Sequence, residues 1–167
     1  MSNDDGATNN ERLMAACRED NLELLDEVLS SDPKSFDVNY TDGLGNTALH
    51  NAARNGSTEC LEILLYFDGI NVNIANRMEK DTPLHKAASY PDPDLALSMV
   101  QILIDNGANI KALNKQKQTA ADIAPGDTHT EVKEFLERAA LGSNYDARDI
   151  AGDDDDDDSD GVPSDDE

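Results

Sequence analysis

The chain has no tryptophan, and aromatic residues make up only 4% of its 167 positions. That scarcity argues against a core built around large rings and favours one packed from Ala, Leu and Ile. Two cysteines are too few for a disulfide-stapled scaffold. Cys17 and Cys60 fall on apolar stretches and read as buried thiols. No apolar run approaches the roughly 18–20 residues of a membrane span, and no charged-then-apolar leader opens the sequence. A soluble protein of cytoplasm and nucleus is expected. Basic residues are scarce too, with 13 Lys and Arg against 36 Asp and Glu and a net charge of −23. Phosphates need a basic surface, so direct nucleic-acid binding is not expected. There is no phosphate-cradling glycine loop, no Cys/His metal spacing and no serine elbow. No catalytic residue, metal or cofactor is expected.

What is present is repetition. Thr47-Ala48-Leu49-His50 and Thr82-Pro83-Leu84-His85 share one pattern, each followed by a free residue and two alanines. The threonines stand 35 positions apart, a spacing that points to stacked units. Glu62-Ile63-Leu64-Leu65 aligns with Gln101-Ile102-Leu103-Ile104, and Asp68 to Asn73 with Asn106 to Ile110. Leu13, Ala16-Cys17, Leu25 and Val28-Leu29 repeat the second unit at a constant offset of 36. Downstream, Thr119-Ala120-Ala121-Asp122 stands in register, followed by Val132, Phe135 and Leu136. Each feature has a physical role. Threonine caps the following helix, and Pro83 suits a first helical position. Paired alanines allow close helix approach, and apolar residues at helical spacing bury one face.

These motifs resemble the ankyrin repeat. The resemblance implies an all-α solenoid of about four helix-turn-helix units with short hairpin loops. The array would span residues 10–141, with units near 10–42, 43–77, 78–114 and 115–141. Residues 1–9 would be a disordered N-terminus and 142–167 a disordered acidic tail. The first and last units, which depart from the signature, would be caps. Asp20 stands where a glycine would end the first helix. Lys80 and Lys117 replace the turn glycine seen at Gly45, which predicts looser turns. Ser89 to Asp94 inserts about four residues and reads as an exposed loop between two helices. The resemblance also implies that His50 and His85 bond to neighbouring backbone. His129 falls in a polar loop with no partner in sequence.

By the same resemblance a partner docks on a concave groove made by the first helices and hairpin tips. The tips would be residues 40–46, 76–81 and 113–118. Tyr40, Met78, Tyr90 and Leu113 are the candidate apolar anchors, since aromatic residues are enriched at interface hot spots. Asn51, Arg54, Asn55, Lys86, Ser89 and Tyr90 would be the exposed first-helix positions. Arg77, Lys80, Lys111, Lys115 and Lys117 add positive charge at the tips. A monomeric, non-catalytic scaffold is expected, binding an unidentified protein partner for which a basic character is one candidate. The alternative is an acidic escort for a basic client such as a ribosomal protein or histone.

Residues 146–167 hold 12 acids against Arg148, and Asp153 to Asp158 is unbroken. Such a segment buries too little to fold. It would solubilise the chain, meet a basic partner, or reach back to Lys111, Lys115 and Lys117. Ser164, with acids following, suits an acid-directed kinase. Asp156-x-Asp158-x-Asp160-Gly161 with Glu167 satisfies a calcium-loop pattern. Pro163 and the lack of amphipathic flanks argue against a specific site there.

Overall fold

Thr8, Thr47, Thr82 and Thr119 each precede a helix, and the four units follow from them. The computed structural model describes residues 7–150, with side chains through residue 142. Eight α-helices are found there: α1 (Asn9–Glu19), α2 (Leu22–Leu29), α3 (Ala48–Asn55), α4 (Thr58–Leu65), α5 (Pro83–Ala88), α6 (Pro93–Asp105), α7 (Ala120–Ile123) and α8 (Thr130–Ile150). A short 3-10 turn covers Pro33–Ser35, and no strand occurs among the described residues. Thr8 with Glu11 and Thr119 with Asp122 form reciprocal capping boxes. Thr47 and Thr82 do the same with an imidazole, donating backbone N–H to Nδ1 of His50 (3.0 Å) and His85 (3.1 Å).

The helices pair as α1/α2, α3/α4, α5/α6 and α7/α8, and the pairs stack. First helices contact first helices in the order α1, α3, α5, α7, while α2, α4, α6 and α8 form a second row. The core lies between the rows. Leu13, Leu49 and Leu84 enter it from one side, and Leu25, Leu61, Leu64 and Leu103 from the other, all essentially fully buried. Ala52-Ala53 and Ala87-Ala88 are also buried, where any longer side chain would push the rows apart. Cys17 and Cys60 are free, buried thiols. Hydrogen bonding with Cys60, then burial, pushes the Cys17 thiol pKa upward. Among the described residues no helix is long and apolar enough to cross a membrane.

Several expectations change. The 89–94 insertion is not all loop, because Pro93 and Asp94 begin α6. Proline fits the first helical turn, and the Asp92 carboxylate caps the N–H groups of Asp94 (3.0 Å) and Leu95 (3.4 Å). Lys80 and Lys117 take the positive φ of Gly45, 62° and 65° beside 84°. The Lys117 turn closes over the same span as the Gly45 turn, so it is not looser, while the Lys80 turn is one residue longer, as expected of a looser one. His129 is buried rather than loose, its Nε2 2.6 Å from the Tyr90 carbonyl and its Nδ1 2.7 Å from Thr128 Oγ1. The first helix starts at Asn9, and α8 continues through Ile150, nine residues beyond the expected array end at 141. No proline interrupts that stretch. The 153–158 aspartate run, the calcium-loop pattern and Ser164 lie outside the described residues.

Candidate functional site

Each hairpin tip is organised by one short side chain. Asp42 Oδ1 accepts from the N–H groups of Leu44 (2.9 Å) and Asn46 (3.0 Å). Asn76 Oδ1 does so from Glu79 (3.2 Å) and Asp81 (3.1 Å), and Asn114 Oδ1 from Gln116 (3.0 Å) and Gln118 (2.9 Å). The middle tip therefore carries one more residue than its neighbours. Tips also bond to each other, Arg77 N–H to Leu44 C=O (2.9 Å) and Lys115 N–H to Glu79 C=O (2.7 Å). Gly45 permits this close approach, since a Cβ there would stand 2.6 Å from the Arg77 nitrogen.

Histidines lock the tips to the helices. His50 Nε2 lies 2.8 Å from Asp81 C=O and His85 Nε2 2.9 Å from Gln118 C=O. With Nδ1 accepting from threonine N–H, Nε2 must carry the proton and donate it. Burial, the largest influence, brings the His50 pKa down to about 4, and nearby Lys86 adds to the effect. Both imidazoles are fully engaged in structure.

Below the first two tips lies a groove of about 250 Å³, lined by Leu44, Asn46, Arg54, Asn76, Met78, Glu79 and Lys86. Arg54, Met78 and Lys86 of the expected site meet here. Arg54 is exposed and makes no ion pair among the described residues. Lys86 is engaged by its own chain, with its ammonium 2.8 Å from Glu79 and 3.4 Å from Asp81. That contact holds the Glu79 carboxyl below its ordinary pKa.

The other candidates are distributed around this groove. Arg77 is exposed and donates from Nη1 to Gly43 C=O at 3.2 Å. Lys80, Lys115 and Lys117 are exposed at the second and third tips, and Leu113 stands beside the third. Asn51 is buried, giving its amide to Met14 C=O at 3.3 Å, so it ties the first unit to the second. Tyr90 is partly buried with its ring against Gly56, where a Cβ would stand 2.5 Å from it. Tyr40 is likewise partly buried against the core. The Asn51, Tyr40 and Tyr90 side chains therefore pack within the array. Leu44 escaped the sequence reading. Its signal was an apolar residue between Gly43 and Gly45, where no neighbour could cover it. Leu44, Met78 and Leu113 are 49%, 61% and 53% exposed on three successive tips. Among the described residues no group of three His, Cys, Asp or Glu side chains could hold a metal.

Comparison with known proteins gives the same architecture. A family profile described as ankyrin repeats (3 copies) matches residues 13–114. The ankyrin repeat-containing protein YGL242C of Saccharomyces cerevisiae is 35% identical over 148 residues, covering 83% of this chain and 82% of its own. Protein phosphatase 1 regulatory subunit 12A of Mus musculus is 37% identical over 97 residues, which is 58% of this chain but 9% of the mouse protein. The human transient receptor potential cation channel subfamily A member 1 is 33% identical over 118 residues, 66% of this chain and 10% of the channel.

Proposed function

The chain belongs to the ankyrin-repeat family, whose arrays are protein–protein interaction modules, and on that premise we propose that it is a non-catalytic scaffold whose partner seats a segment in the groove beneath the first two tips. One observation carries this reading. Leu44 and Met78 stand about half-exposed or more above a groove whose lining includes the guanidinium of Arg54, which forms no ion pair among the described residues. Apolar anchors beside a charged group are what a bound segment needs for affinity and register. The occupant would place an apolar side chain between Leu44 and Met78 and a carboxylate or amide toward Arg54. Leu113, Lys115 and Lys117 would extend the contact along the third tip.

The test is quantitative. A partner captured with the full chain is identified and its affinity measured by calorimetry for wild type, Met78→Asp and Arg54→Glu. Both side chains are exposed, so the melting temperature should stay unchanged while affinity falls at least tenfold in each variant. Affinity within twofold of wild type in both would refute the groove as the docking site.

A further inference from the structure

The opposite side of the array carries a second surface. Helices α2, α4 and α6 contain no lysine or arginine, and every acid on them is exposed. Leu25, Val28, Leu61, Leu64, Val100 and Leu103 of these helices face inward to the core, so the exposed carboxylates stand on the outer face. The tips and first helices are mixed, with Arg54, Arg77, Lys80, Lys86, Lys115 and Lys117 beside Asp42, Glu79 and Asp81. The outer face of α2, α4 and α6 is the uniformly acidic one.

Charge alone would only solvate that face. The apolar groups within it set it apart. Tyr66, immediately after α4, is 84% exposed, and Ile63 one turn earlier is 40% exposed. Between α4 and α6 runs a cleft of about 180 Å³, lined by Glu62, Tyr66, Ile102, Asp105 and Asn106. Asn106 is already occupied, donating its amide to Ile102 C=O at 2.8 Å. Glu62 and Asp105 form no ion pair, and Tyr66 stacks on no other ring, among the described residues. An aromatic face, an aliphatic floor and two free carboxylates match one side chain well. A guanidinium is planar, stacks on a ring and donates a fork of N–H groups to carboxylates, while its methylene stem covers apolar surface. A lysine ammonium would gain the charge contact without the stacking.

The next cleft, between α6 and α8, measures about 210 Å³ and again joins carboxylates, Glu131 and Glu134, to an aromatic ring, Phe135, with Arg138 also in its lining. Packed helices lie about 8–10 Å apart. A polyproline II segment advances about 3.1 Å per residue and returns to the same face every third residue, a repeat of roughly 9 Å. We propose that the outer face binds an arginine-bearing segment of a partner protein, with one guanidinium in the Tyr66 cleft and a second basic side chain three residues away facing Glu131 and Glu134. This surface goes beyond the groove proposed above and does not depend on it.

The experiment uses the full chain and a fluorescent peptide, (Arg-Pro-Pro)4, with (Lys-Pro-Pro)4 for comparison. Anisotropy at low salt should show the arginine peptide binding at least threefold more tightly than the lysine peptide. Tyr66→Ala, and separately the pair Glu62→Gln with Asp105→Asn, should each weaken the arginine peptide at least fivefold. Met78→Asp, on the other face, should leave it unchanged. Amide shifts on titration should centre on residues 62–66 and 102–106. Equal affinity for Tyr66→Ala and wild type would overturn the proposal, as would shifts confined to residues 146–167, which would mark simple attraction to the acidic segment.

Discussion

Lys80 and Lys117 sit in the left-handed backbone region that Gly45 occupies in the first tip. For a residue with a Cβ that region costs about 1–2 kcal/mol. Asn76 and Asn114 hold the turns in place by each accepting two backbone N–H groups, which offsets the cost. Lys80→Gly and Lys117→Gly should therefore each raise stability by up to about 1 kcal/mol, the relief being partly cancelled by the freer unfolded chain. A higher urea midpoint with an unchanged slope is the expected readout, and a lower midpoint would show that no strain is relieved. The two lysines were legible as departures from a glycine pattern. Their conformation was not, because the side chains that enforce it are bonded locally and leave no periodic trace. His50 gives a second expectation. Its pKa falls from an ordinary 6.5 to about 4 in the fold, so below about 6.5 the unfolded chain takes up the proton first. The stabilising contribution is full above pH 6.5 and declines as pH falls toward 4, by up to about 3 kcal/mol at 1.36 kcal/mol per pH unit. Carboxylates titrate over part of that range, so the comparison is with His50→Gln. That variant should be less stable at pH 7 but show a shallower loss between pH 6.5 and 4, as read by chemical unfolding at each pH. Parallel curves would contradict the role given to His50.

At the scale of elements, helix pairing and core register were legible because capping threonines, paired alanines and spaced leucines all repeat. Leu64 on α4 and Leu103 on α6 are fully buried at matching positions. Truncating either to alanine should cost about 2–5 kcal/mol. Against a usual total of about 5–15 kcal/mol, that is enough to lower the melting temperature sharply. Unchanged melting would mean the register is misplaced. The start of α6 was harder to read, since Pro91 and Pro93 look like breakers until Asp92 is seen to cap the helix. A polar ladder was missed altogether. Asn39 donates to Gly69 C=O and accepts from Asn71 N–H, and Asn73 does the same with Gly107 and Asn109. Asparagine between units reads as turn composition until the stacking brings its partners, 30 to 36 residues away, alongside.

Over the whole molecule, stability rests on interfaces between neighbouring units rather than on one closed core. His50, His85 and the two asparagines each cross such an interface, so the array should unfold as one unit. The same stacking gathers the scattered acids of α2, α4 and α6 onto one face, which no linear reading displays. The groove beneath the tips was legible in outline, through Arg54, Met78 and Lys86. Of the expected apolar positions Met78 and Leu113 are exposed, whereas Tyr40 and Tyr90 pack against the core and Leu44, not expected, is exposed.

Hydrogen–deuterium exchange on the full chain, free and saturated with a captured partner, tests the groove most directly. Exchange should slow on binding at residues 42–46 and 76–81, extending to 113–118. Slowed exchange restricted to the second helices, or to residues beyond 142, with the tips unaffected, would contradict it.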